Sequence, residues 1–181
     1  MDYLKDFVIH FVGLSVGNHQ FEFEVNDLFF EQFEYSQLQH GKVKVVVDLD
    51  KQERMLVFSF RMDGAVEVVC DRCADEFMLP LSGTEHLIVK YGEGYTEESD
   101  DMITIPSTEY KVDLAPFIYE YIHLLLPVKI VHPDDADGKT TCNADTLQIL
   151  EKLTVHTDTD PRWDILNNLK TEDQENEENE K

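Results

Sequence analysis

Basic side chains are scarce in this sequence. Fifteen Lys and Arg stand against 38 Asp and Glu, a formal charge of −23 over 181 residues. That imbalance argues against a conventional nucleic-acid binder, because affinity for phosphate comes mainly from cations that displace counterions. It suits a soluble protein whose partners are themselves basic. Long apolar runs are missing too: no stretch of about 18 apolar residues occurs, so no membrane association is expected. The most hydrophobic segment, Phe117 to Val131, is interrupted by Glu120, His123, Pro127 and Lys129. The start, Met1-Asp2-Tyr3-Leu4-Lys5-Asp6, lacks the basic opening and apolar stretch of a secretory signal. Cysteine is rare, and three residues cannot make a fully paired disulfide framework. A cytoplasmic protein with reduced thiols is therefore expected. Catalytic signatures are absent as well: there is no G-x-S-x-G, H-E-x-x-H or G-x-G-x-x-G. His156 near Asp158 and Asp160 reads as a solvated side chain in an acidic loop. Neither an enzyme nor a small-molecule substrate is expected.

What is present is enough apolar material to fold, at 42% hydrophobic and 10% aromatic. Phe21, Phe23 and Val25 alternate with Glu22 and Glu24, the period of a half-buried strand. Val43, Val45, Val47 and Leu49 share one face of the next strand, and Leu56, Phe58, Phe60 and Met62 line another. Asp63-Gly64 reads as a two-residue hairpin turn, after which Val66, Val68 and Cys70 return. Phe77 to Leu81 and Leu87 to Tyr91 look like two further strands, and Met102 to Ile105 a short one. A helix is expected after Asp113, with its apolar stripe on Leu114, Phe117, Ile118, Tyr121 and Leu125 and its end at Pro127. A second helix is expected from Ala144 to Leu153, and a third from Pro161 to Leu169, capped by Asp160. The fold class is α+β: an antiparallel, curved or barrel-like β-meander with C-terminal helices. Residues 1–170 read as a single domain. Residues 171–181 read as an acidic disordered tail. That tail holds six acids and one Lys, so −18 of the charge belongs to the rest of the chain.

Cys70-Asp71-Arg72-Cys73 is the most chemical feature. A C-x-x-C at a strand end makes a knuckle that places two thiolates on one Zn²⁺, but a structural site needs four ligands. Cys142 and His132, both beyond Pro127, are the candidates for the third and fourth. The bland alternative is a pair of small, half-buried residues at a strand end. The segment from His132 to Cys142 fails as a P-loop, because Pro133 stands where Gly is needed. It fails as an EF-hand loop too, since Pro133 and Ala144 occupy carboxylate positions. A polar surface loop is its best reading. Trp163, the only tryptophan, lies one turn into an amphipathic helix, either as its core anchor or as an exposed anchor for a partner. Arg72, Arg162 and Trp163 are the candidate partner-binding residues.

Three elements occur in a telling order. They are Val69-Cys70-Asp71-Arg72-Cys73; Val112-Asp113-Leu114 leading through Glu120 and Ile122 to Leu124-Leu125-Leu126-Pro127; and Asp160-Pro161-Arg162-Trp163 through Leu166 to Leu169. Together they resemble the YceD family, named for accumulation of large-subunit ribosomal RNA, over roughly residues 5–170. The resemblance implies a role in synthesis, processing or stabilisation of 23S ribosomal RNA, and suggests a small basic ribosomal protein as partner. It carries over no catalytic residues. Cys70 and Cys73 match the family's first cysteine pair. Where many members have a second cysteine cluster, this chain has His132 and Cys142.

Three functions follow as alternatives. The first is a non-enzymatic factor for large-subunit biogenesis that binds a basic ribosomal protein or a pre-50S particle. The second is a direct rRNA-binding processing protein, for which Lys42, Lys44, Lys51, Arg54 and Arg61 are the only dense basic candidates. The third is a zinc-stabilised interaction module with no ribosomal role.

Overall fold

The computed structural model describes residues 3–154. Contacts divide the chain after Cys142 into two units. The first opens with a 3-10 helix, Tyr3–Phe7, and the strands β1 (Val8–Ile9) and β2 (Gly17–Val25). A short helix α1 (Asp27–Phe30) follows, then β3 (Gly41–Lys51), β4 (Met55–Val69) and β5 (Glu76–Gly92). The unit continues through β6 (Thr96–Ser99), β7 (Met102–Pro106), β8 (Val112–Asp113) and helix α2 (Ala115–Leu124). Six strands form one sheet in the order β2-β3-β4-β5-β7-β6, and β1 pairs with β8 in a second, two-stranded sheet.

The α+β class and the mostly antiparallel sheet agree with the sequence pattern, with two differences. The β5–β7 pair is parallel, Ile88 opposite Met102 through Gly92 opposite Pro106. The six-stranded sheet also stays open and does not close as a barrel.

Alternation builds the core. Val43, Val45, Val47 and Leu49 of β3 and Leu56, Phe58, Phe60 and Met62 of β4 are all buried on one face. Helix α2 contributes Ile118, Tyr121 and Ile122 to the same core. Tyr121 meets Phe60 edge-on with ring centroids 5.1 Å apart, and its hydroxyl donates to the His86 carbonyl at 3.1 Å. The Asp113 carboxylate accepts the Ala115 N–H at 3.0 Å, as its place before the helix suggests. Gly83 makes room for the helix end, because a Cβ there would lie 2.2 Å from a Leu125 methyl.

Asp63-Gly64 is not a turn. Both residues sit inside the ladder, Gly64 opposite Val43 on one side and Leu81 on the other. The glycine answers a close backbone approach instead: a Cβ would lie 2.2 Å from the Lys42 carbonyl oxygen. Likewise the two strands expected at Phe77–Leu81 and Leu87–Tyr91 are one 17-residue strand. Pro80 is tolerated within it because β7 pairs only from Ile88 onward, leaving the first half of β5 at the sheet edge. The turn that joins β4 to β5 is therefore the C-x-x-C itself.

The second unit's described part is one helix, α3 (Ala144–Leu153), the span read from its leucines. Asn143 caps it, its Oδ1 accepting the N–H groups of Asp145 and Thr146 at 3.0 and 3.2 Å. Among the described residues no helix is long and apolar enough to cross a membrane. The helix expected at Pro161 to Leu169 and the acidic tail lie outside the described residues.

Candidate metal centre

The tip of the β4–β5 hairpin is a tight knuckle. The Cys70 N–H donates to the Asp75 carbonyl and the Ala74 N–H to the Cys70 carbonyl, each at 2.9 Å. Ala74 takes a left-handed φ of 61°, which turns the chain back within so few residues. The Arg72 N–H points at Cys70 Sγ from 3.4 Å. This places both cysteine side chains on one side of the turn, buried to within 3% of full coverage.

The segment after α2 is fastened to the knuckle at two points. The Asp71 N–H donates to the Ile130 carbonyl at 2.7 Å, and the Ile130 N–H donates back to Asp71 Oδ2 at 2.6 Å. Two residues on, the His132 ring stacks on Phe77 with centroids 4.3 Å apart. Its Nδ1 comes to 3.4 Å from Cys73 Sγ. The polar loop that follows turns on Asp135, whose Oδ1 accepts the N–H groups of Asp137 and Lys139. Asp134 bridges Thr140, and the Thr141 hydroxyl donates to the Pro133 carbonyl at 2.7 Å. The chain thus returns on itself and sets Cys142 Sγ 3.8 Å from Cys70 Sγ.

The ligand atoms of Cys70, Cys73, His132 and Cys142 all lie within 4.8 Å of one another. The three cysteines are buried and carry no disulfide. Burial alone pushes the Cys70 thiol up. The N–H groups of Cys73, Arg72 and His132, with the His132 ring, outweigh it and bring Cys70 down to about 5. Two residues of the knuckle and two from the segment after α2 are close enough together to hold a metal ion.

Arg72 lies on the outside of this cluster, exposed, with its guanidinium donating to the Thr140 hydroxyl at 3.1 Å. Arg162 and Trp163 fall outside the described residues. Sequence reasoning missed Asp71 and Phe77, which position the second half of the quartet. Asp71 sits between the two cysteines, and an acid inside a knuckle is a recognisable source of an N–H latch. Phe77 carried no local signal.

A family model described as "Large ribosomal RNA subunit accumulation protein YceD" matches residues 58–170. The chain belongs to the YceD family. The YceD match opens within β4 and spans both strands of the long hairpin, α2, and all four clustered side chains. The YceD description ties the chain to accumulation of large-subunit ribosomal RNA, and it is that of an accumulation factor and names no reaction. No curated protein and no solved structure matches the chain.

Proposed function

We propose that this protein is a non-enzymatic factor for large-subunit biogenesis that supports 23S rRNA accumulation by binding a basic ribosomal protein. The observation that carries the reading is the family match on a chain of charge −23, of which −18 lies outside the terminal tail. Extended basic proteins are steered toward such a surface and shielded on it from premature contact with RNA. Three of the five dense cations that direct RNA binding would need are already engaged. Lys44 pairs with Glu22 at 2.9 Å and Arg61 with Asp48 at 2.8 Å. Lys51 Nζ donates to the carbonyls of Phe11 and Leu14.

Zinc is the ion that the quartet fits best. Tetrahedral Zn–S bonds of about 2.3 Å and a Zn–N bond of about 2.0 Å give edges of about 3.8 Å between sulfurs and about 3.5 Å between sulfur and nitrogen. The Cys70–Cys142 and Cys73–His132 separations are 3.8 and 3.4 Å. Cys70, Cys73, His132 and Cys142 would hold the ion as a closed structural site. It would cross-link the hairpin tip to the segment after α2 and leave no position for substrate. In this reading the first unit, through Cys142, is fastened partly by metal.

Affinity purification of the full chain at moderate salt, with RNA and proteins both identified, tests the function. Recovery of a basic ribosomal protein or pre-50S particles is expected. Normal 23S rRNA levels in a strain lacking the protein would overturn it. Metal analysis of protein purified without chelators is expected to find zinc in the wild type and none in Cys70→Ser. An equal content in both would sink the zinc site.

A further inference from the structure

Beside the end of β5 remote from the knuckle, two grooves run together. One, of about 520 Å³, lies between β6–β7 and the β8–α2 junction. The other, of about 310 Å³, adjoins it and shares Glu97, Ile103 and Phe117. Ile103 and Phe117 are half-buried and form an apolar floor. Glu97, Asp100 and Glu120 stand exposed along the walls, and Lys111 is the single cation in either lining. Two more wall carboxylates are held below the usual range: Glu98 by the Thr104 hydroxyl and Lys90, and Glu109 by the Tyr95 hydroxyl and the Tyr110 N–H. They are anionic at any physiological pH. Among the described residues, Glu97 and Glu120 form no ion pair.

We infer that this groove is the docking surface for an extended basic segment of a partner protein, one in which Lys or Arg alternates with apolar residues. It deepens the partner reading above and rests on it. Charge complementarity selects the occupant. An acidic chain or a nucleic acid is repelled by the walls, whereas a Lys or Arg stem lies along Phe117 and Ile103 with its charged head at the carboxylates. The volume of the joined grooves suits several side chains of an extended segment rather than one small cation.

Fluorescence anisotropy of the full chain with a short labelled peptide of repeating Arg-Leu-Lys-Gly, at about 0.15 M salt, tests the surface. Glu97→Lys with Glu120→Lys is expected to weaken binding about tenfold or more. The same reversal at Glu22 and Glu24, exposed on β2, is expected to change it less than about twofold, which controls for net charge. Circular dichroism confirms that each exposed double variant folds. Replacing each Leu of the peptide by Ser is expected to weaken binding about fivefold. Equal losses at the two charge pairs, or no loss at Glu97 and Glu120, would overturn the groove. If the groove variant still recovers a basic ribosomal protein as well as wild type does, the groove is wrong while the partner reading stands. Peptide binding that depends on Glu97 and Glu120 supports the groove even where no ribosomal protein is recovered, an outcome that counts against the partner reading alone.

Discussion

Beside β3, the long β4–β5 hairpin carries Leu56, Phe58, Phe60 and Met62 into a core shared with α2, and every one of those side chains is covered. Past Val66, which faces Gly41, the first residue of β3, the same two strands continue with no third strand on the β4 side. There Val68 is still buried and Phe77 and Leu79 pack against the core, while the tip itself closes through Cys70, Cys73, His132, Cys142 and the Asp71–Ile130 exchange. One hairpin is thus held in two ways. Its base depends on apolar area removed from water, which is additive and tolerant of small changes. Its tip depends on a few polar contacts of fixed geometry, which fail together when one is lost.

Truncating the base should give the largest effect. Phe60→Ala removes a fully covered ring that meets Tyr121 and is expected to cost about 4 kcal/mol in urea unfolding. The residual folded protein should keep whatever metal the wild type holds. At the tip, Cys142→Ser is expected to cost about 2 to 3 kcal/mol and to abolish the loss of stability that chelator is expected to cause in wild type. Equal chelator sensitivity in both would erase the distinction between base and tip. Acid should act on the tip in the same sense. With the Cys70 thiol at about 5 against an ordinary 9.0, its thiolate's contribution is full above 9.0, declines as pH falls through neutrality and is gone below about 5.

Gly64→Ala should produce a smaller loss, about 2 kcal/mol, because the added methyl collides with the Lys42 carbonyl inside the base. It should leave the metal content of the tip unchanged. The smallest effect is expected where the regions meet, at the exposed pair of His40 Nδ1 and Asp27 Oδ2, 3.0 Å apart. The Gly41 N–H and His40 lower Asp27 below its ordinary 3.8, so its contribution is present above that value and fades as pH falls further. Asp27 raises His40 above its ordinary 6.5, so the histidine's contribution is present below that value and fades as pH rises past it. The gap in melting temperature between wild type and Asp27→Asn should be widest between about pH 4 and 6.5, and a flat gap would contradict the coupling.

Most of the base was legible because alternation is a local signal: Val43 to Leu49 and Leu56 to Met62 announce their faces without reference to anything distant. The Asp63-Gly64 misreading is instructive, since the correct answer lay in the parity. A two-residue turn there would put Ala65 and Glu67 on the face of Phe60 and Met62. The apolar residues are instead Val66, Val68 and Cys70, in phase with Leu56, as an uninterrupted strand requires. The parallel β5–β7 pairing had no such trace, because composition does not reveal which strand is a neighbour. At the candidate metal site, the Cys70–Cys73 pair is a local motif and was plain. The approach of His132 and Cys142 is set by contacts of long sequence separation, through Asp71, Phe77 and the turn on Asp135, and so rested on counting ligands.

The separation of Cys70 from Cys142 has a consequence in time. The two sulfurs that end 3.8 Å apart are 72 residues apart in the chain. At about 5 to 20 residues per second, a ribosome releases the second roughly 4 to 14 seconds after the first. During that interval the hairpin can pair, but its tip offers two thiols and no closing segment. Synthesis order therefore makes the tip the last part of this unit to lock, and the part most exposed to oxidants while the chain is still attached.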